Sequence, residues 1–298
     1  MDMSIPRYNL DTCAVLVEFN ASVWTARKLD KSTTEEVVTN KNAAAKDAAR
    51  VNKNLLAGRT ELDKIQQIVN AARTYINDNT LPWSNNGQRM LPQPTFIAVD
   101  KKMTEFGDAF WAEVKSFIDV YPTLIVAQAM ALGDMFKRHD YPTQADITQR
   151  FAFSVNYLPV PTAGDFRIDV GNAAMNEARD AWSKRLEKLT AERVESAMAD
   201  VRSRLSDHLK RMSDRLTTDM IDGQPKARRI YDSVVDGALE LCDVVKALNV
   251  VGDKDLEAAR YSLECALVGV TPDDLRKNEA VREDTKKAVD AILEQFNF

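Results

Sequence analysis

GNAAMNEARDAWSKRLEKLTAERVESAMADVRSRLSDHLKRMSDRLTTDMID, residues 171–222, is the stretch on which the fold turns. Its apolar residues recur at intervals of mostly three and four: Met175, Ala178, Trp182, Leu186 and Leu189, then Val194, Met198, Val201, Leu205, Leu209, Met212 and Leu216. That spacing places them on one face of a helix. A single five-residue step after Leu189 shifts the phase of the stripe. A helix over the whole segment would be about 75 Å long at a rise of 1.5 Å per residue. The segment carries ten acidic and ten basic residues. Such mixed signs suit solvated ion pairs flanking a coiled-coil-like seam better than a track for nucleic acid. The seam of Trp182, Leu186, Leu189, Val201, Leu205, Leu209, Met212 and Leu216 is expected to pack against the helical run 96–136. It outruns what one shorter helix can cover, so self-association is expected too.

Working outward, Leu62, Ile65, Ile68, Val69, Ala72 and Ile76 predict an amphipathic helix from residue 60. Residues 96–136 read as helical, with a kink or a break at Tyr121-Pro122. Ser32-Thr33-Thr34-Glu35 reads as a capping box, and Thr143 as the cap of a short helix with Asp146. Residues 39–53 read as a solvated helix or a mobile loop. Residues 151–157 alternate like a strand, with 165–168 as a partner after a turn at Gly164. Residues 13–20 fit a short strand or a helix start. Asp222-Gly223-Gln224-Pro225 closes the long helix. Three shorter helices follow, one starting at Thr271-Pro272. The expected fold is mainly α: long antiparallel helices in a coiled-coil-like stalk, with a small β-sheet or hairpin. Its regions are 1–168 and 169–298, or one continuous domain.

With 298 residues, 45% hydrophobic and 29% charged, the chain has an ordinary globular composition. The net charge is −5, and residues 232–298 hold 15 acidic against 8 basic side chains. This disfavours a dedicated duplex binder. Cys13, Cys242 and Cys265 are scattered, without CxxC spacing, as expected of free thiols in a reducing compartment. MDMSIPRYNLD has neither a basic nor an apolar leader region, and no apolar run is expected to span a membrane. The expected location is the cytoplasm.

Little here points to catalysis. His139 and His208 lie far from any metal-ligand partner, and no P-loop, GxGxxG or GxSxG occurs. The acidic run 253–257 lacks calcium-loop spacing and fits a helix N-terminus. No cofactor, metal or catalytic residue is expected. Two places remain as interaction candidates. Trp83 with Arg89 sits in the turn-rich loop 79–96, either as a stacking finger or as a buried corner, with the corner preferred. Lys226, Arg228 and Arg229 could contact phosphate, although a solvated helix start explains them as well.

Ordered landmarks carry a resemblance. They are Val23-Trp24, Arg27-Lys28, Thr80-Leu81-Pro82-Trp83, Gly87-Gln88-Arg89-Met90-Leu91-Pro92, Tyr121-Pro122, Tyr141-Pro142, Arg150-Phe151-Ala152-Phe153, Leu158-Pro159-Val160-Pro161 and Gly164-Asp165-Phe166-Arg167. Together they resemble the phage and proteobacterial family called domain of unknown function 3150. The resemblance implies a phage or mobile-element origin, hence a host-cell cytoplasm, and genetic company with MoxR-like ATPases. The functional expectation is a non-enzymatic helical scaffold or adaptor that self-associates and contacts other proteins. The alternative is a single-stranded nucleic-acid-binding protein of phage replication or recombination.

Overall fold

Helix dominates because the long runs between the few glycines and prolines favour it and carry apolar residues at helical spacing. The computed structural model describes residues 10–45, 47–161, 173–221 and 224–296. In chain order these form α1 (Leu10–Cys13), β1 (Ala14–Ser22), β2 (Arg27–Leu29), α2 (Lys31–Asn40), β3 (Asn52–Asn54) and α3 (Glu61–Asp78). Next come β4 (Leu81–Pro82), β5 (Arg89–Pro92), α4 (Phe96–Leu132), α5 (Gln144–Thr148), β6 (Ala152–Pro159) and α6 (Ala173–Leu216). The chain continues through β7 (Thr218–Ile221), β8 (Gln224–Ala227), α7 (Asp236–Leu248), α8 (Lys254–Leu267), α9 (Pro272–Lys277) and α10 (Glu279–Phe296). The fold is thus mainly helical, with a small sheet of order β4-β5-β1-β6. The expected strand at 165–168, its turn at Gly164 and the closing pair Asp222-Gly223 lie outside the described residues.

Two compact units alternate along the sequence. One comprises Met1–Glu18, Ile76–Val99 and Asn156–Phe298, the other Phe19–Tyr75 and Asp100–Val155. A single division at residue 168 does not describe this arrangement.

In the first unit the face of α6 from Val194 to Leu216 is buried and packs on α10, α7 and β4. These replace the expected partner run 96–136, of which residues 100–132 belong to the second unit. The stripe is not buried throughout. Trp182 and Leu189 are each 38% exposed, and Leu186 is half-buried. The side chains of Met175 and Ala178 lie outside the described part. The phase shift after Leu189 therefore marks where burial begins, since the face that follows is turned onto α10 and α7. Helix α6 stops at Leu216, and the β7–β8 hairpin closes it, Thr218 pairing with Ala227. Among the described residues four helices, not the expected three, follow the hairpin. Asp253 caps α8 by accepting from the Asp255 and Leu256 amides, and Thr271 with Asp274 forms a capping box on α9.

The second unit is built around aromatic rings. Trp24, Phe110, Phe117, Tyr121, Tyr141 and Phe151 share one core, with Trp24 edge-on to Tyr121 at 5.8 Å. The Tyr121 hydroxyl donates to the Pro142 carbonyl and that of Tyr141 to the Leu55 carbonyl. Helix α4 runs unbroken through Pro122. The residues on either side of the lost hydrogen bond are held by burial of Tyr121, Leu124 and Ile125. Trp111, although it stands in the apolar helical run 96–136, is 44% exposed and meets Phe110 edge-on. The cap of α2 is Asp30, which accepts from the Thr33 amide, in place of the expected Ser32 box. Residues 52–54, at the end of the stretch 39–53 read as helix or loop, form β3 and pair with β2.

Contrary to expectation, one stretch, Gln93–Met135, is long and apolar enough to cross a membrane by length and composition, and 28% of its most apolar window is buried. A core helix meets the same criterion, and α4 places Phe110, Phe117 and Tyr121 in a core.

Candidate interaction site

The loop 79–96 is a β-hairpin. β4 and β5 pair Leu81 with Met90 and Pro82 with Arg89. Pro82 therefore lies in a strand and does not end a helix. The tip is closed by the Trp83 and Ser84 amides donating to the Gln88 carbonyl, and Gly87 takes φ +87°, a left-handed value that favours glycine. Asn85, Asn86 and Gly87 are exposed, whereas Trp83 is only 4% exposed and belongs to the core of the first unit. Its ring is covered by the Arg193 guanidinium at 5.3 Å from the ring centroid. A pocket of about 460 Å³ opens between this turn and α6, lined by Trp83, Asn85, Asn86, Leu189, Glu192 and Arg193 among others. Sequence reading missed Arg193. The signal was the phase shift: Arg193 stands four residues after Leu189, where an uninterrupted stripe would carry an apolar side chain.

Arg89 is not in this pocket. Its guanidinium donates to the Thr80 hydroxyl (2.6 Å), the Thr80 carbonyl (2.9 Å) and the Asn77 carbonyl (3.1 Å). Arg204 of α6 joins it, donating to the carbonyls of Asp78 (2.9 Å), Asn77 (3.1 Å) and Thr80 (3.1 Å). Two cations thus satisfy the orphan carbonyls and the negative dipole end of α3. Burial, with Arg204 alongside, lowers the Arg89 pKa from its ordinary value. Arg89 is a structural clamp that the sequence placed in the wrong company.

The cluster at 226–229 separates in the same way. Arg228 is ion-paired with Asp214 and with Asp219, the latter at 2.9 Å, and these partners raise its pKa. Lys226 pairs across the hairpin with Asp219 through its backbone position; its side chain lies outside the described part. Arg229 is exposed and sits 5.0 Å from the ring centroid of Tyr231, while Arg215 approaches the same ring at 5.8 Å. Tyr231 is 45% exposed.

In the second unit a buried ion cluster ties together distant segments. Lys53 Nζ meets Asp140 Oδ2 at 2.5 Å and Asp30 Oδ2 at 3.3 Å, and donates to the Met135 carbonyl at 2.9 Å. Lys28 adds a contact to Asp140 at 2.9 Å. Hydrogen bonds from the Ser32 hydroxyl and the Thr33 amide hold the Asp30 carboxyl far below its usual range. Burial pushes Asp140 up, but Lys53 and Lys28 outweigh it, and the net shift is downward. Burial likewise opposes the Lys53 ammonium, and Asp140 and Asp30 reverse that to a net rise. Two lysines against two carboxylates leave the cluster neutral and its lysine saturated, which is the chemistry of a structural clamp.

On α4, Val126 and Met130 are 73% and 91% exposed. No charged residue occurs between Asp119 and Asp134, so this face offers apolar surface with no charge of its own. Among the described residues no group of His, Cys, Asp and Glu could hold a metal ion. No family model, curated protein or solved structure matches the chain.

Proposed function

We propose that this protein is a non-enzymatic helical scaffold or adaptor that acts by self-association and contacts with other proteins. The observation that carries the reading is the α4 face, where Val126 and Met130, four residues apart on one side of the helix, project from an uncharged run and stand 73% and 91% exposed. Exposed apolar area at this spacing is what helix-on-helix association uses. The exposed Leu189 on the unburied half of α6 adds to it, and is what supports the stalk-like element of the reading. The resemblance described above supports a phage setting for such a scaffold, in the host-cell cytoplasm, with a MoxR-like ATPase as one candidate partner. Light scattering over a concentration series tests the reading: a mass that rises toward a multiple of 33.4 kDa is expected. A strict monomer at micromolar concentration rules it out.

A second reading, single-stranded nucleic-acid binding, is favoured by one observation only, the exposed Tyr231 between Arg215 and Arg229. Trp83 and Arg89 no longer support it, because one is buried and the other is engaged with α3. Salt-sensitive retention of labelled oligonucleotide on a filter, lost in Tyr231→Ala, would establish this reading; no retention at low salt removes it.

A further inference from the structure

Asn86 is the only asparagine in the sequence that is followed by glycine. In an Asn-Gly pair the glycine nitrogen can attack the asparagine side-chain carbonyl carbon, because no Cβ shields that nitrogen. Whether a fold permits the attack depends on how firmly the two residues are held. Here both stand exposed at the tip of the β4–β5 hairpin. The Gly87 amide donates to the Ser84 carbonyl at 3.4 Å, and the Asn86 amide to the Ser84 hydroxyl at 3.4 Å. Both are longer than the usual N–H···O range of about 2.7–3.2 Å, so little holds the attacking nitrogen in place. The Asn86 carboxamide has no hydrogen-bond partner among the described residues. Apart from chain neighbours, no atom lies within 4 Å of where a Cβ on Gly87 would stand, so a closing ring has room. Asparagines elsewhere are held by their side chains. Asn249 donates to the Asp253 carbonyl at 2.9 Å and accepts from its amide at 2.8 Å, and Asn278 accepts from the Ala280 amide at 3.1 Å.

We infer that Asn86 is a site of spontaneous deamidation, at which the hairpin tip converts to isoaspartate and aspartate. The Gly87 nitrogen gives up its proton to solvent base and forms a bond to Asn86 Cγ. The Cγ–Nδ2 bond breaks, and Nδ2 takes a proton from solvent and leaves as ammonia. A five-membered succinimide remains, and water opens it at either carbonyl. Opening at Cγ gives aspartate; opening at the main-chain carbonyl gives isoaspartate, with the chain running through Cγ. One water is consumed and one ammonia released, with no oxidant and no enzyme. Either product adds one negative charge to a chain of net charge −5. Isoaspartate also lengthens the backbone by one methylene inside the turn that the Trp83 and Ser84 amides close on the Gln88 carbonyl. The tip therefore changes with the age of the molecule, and with it the rim of the pocket that Asn86 lines. Asn85 is equally exposed, but the residue after it carries a side chain, which shields the attacking nitrogen. The inference goes beyond the scaffold reading, since it requires neither association nor a partner.

The test incubates the full chain, native and in urea, at mildly alkaline and at mildly acidic pH. Ion exchange follows the more acidic species, and peptide mapping by mass spectrometry locates the change. In the native chain residue 86 should convert before any other asparagine, with isoaspartate the main product. Conversion should be faster at alkaline pH, because the attacking nitrogen must lose its proton, and only severalfold slower than in urea. Asn86→Gln should remove the early acidic species, since glutamine would have to close a six-membered ring. Asn85→Gln should leave it in place. Three results overturn the inference: residue 86 intact in the native chain after the unfolded chain has converted, earlier conversion at another asparagine, or an early acidic species that persists in Asn86→Gln.

Discussion

Arg204 and Arg89 show how a residue can look ordinary in sequence and matter in the fold. Arg204 reads as one more solvated charge on the long helix, and a substitution there would be expected to do little. Its bonds to the Asp78, Asn77 and Thr80 carbonyls change that expectation. Arg204→Ala should cost about 1.5–3 kcal/mol, as for hydrogen bonds to a charged group. Lys210→Ala, on an exposed position of the same helix, should change stability by less than about 0.5 kcal/mol. Chemical denaturation of both variants checks this. Lys53, Asp30 and Asp140 were equally illegible, because three residues up to 110 positions apart meet only after the chain has folded. Lys53→Met leaves two buried carboxylates without their shared cation and should cost about 3–5 kcal/mol. The pH dependence follows from the depressed Asp30 and Asp140. Their contribution is complete above the unfolded carboxylate pKa of about 3.9 and is lost as pH falls through the lower folded values. The raised Lys53 contributes below the ordinary lysine value of about 10.4 and is lost only as pH rises beyond it. Acid titration of wild type should therefore show a loss of stability beginning near pH 4, and Lys53→Met should make it shallower by the part Lys53 supplies, chiefly at Asp140, while the Ser32 and Thr33 hydrogen bonds keep the Asp30 part. An acid limb of the same depth in both would contradict the clamp.

Helix α6 shows what periodicity can and cannot give. The apolar spacing located the helix and its buried face, because Leu205 and Leu209 must leave water wherever they pack. It could not name the partner, since α7, α10 and residues 96–136 all present apolar stripes. Nor could it tell that the first half of the seam stays at the surface: a stripe records where apolar residues lie, not whether something covers them. Leu205→Ala should cost about 2–5 kcal/mol, while Leu189→Ala, already 38% exposed, should cost well under half of that. Equal losses in thermal midpoints would mean that the two halves are packed alike. The loop 79–96 was misread for a different reason. Its strands β4 and β5 are two and four residues long, too short for alternation to register. The burial of Trp83 was the preferred reading, but the pocket beside it depends on Arg193, more than a hundred residues away in sequence.

For the whole molecule, helix-favouring runs indicated the helical class and the alternation at 151–157 a small β element, but neither indicated the two units, since each is assembled from separated stretches that no linker announces. On the reading proposed above, function rests on surfaces, and α4 offers an exposed apolar one at Val126 and Met130. If the protein works by joining copies of itself, glutamate at Val126 and Met130 should abolish association by placing unpaired charges on the contact. Because both positions are largely exposed, the monomer should keep its fold, with a midpoint within a few degrees of wild type. Sedimentation velocity of wild type and the Val126→Glu, Met130→Glu double variant, each over a tenfold range of micromolar concentration, is the most direct test. A wild-type sedimentation coefficient that rises with concentration, beside a variant fixed at the monomer value, is the predicted result; a wild type that sediments as a monomer throughout, or a variant that associates equally well, contradicts it.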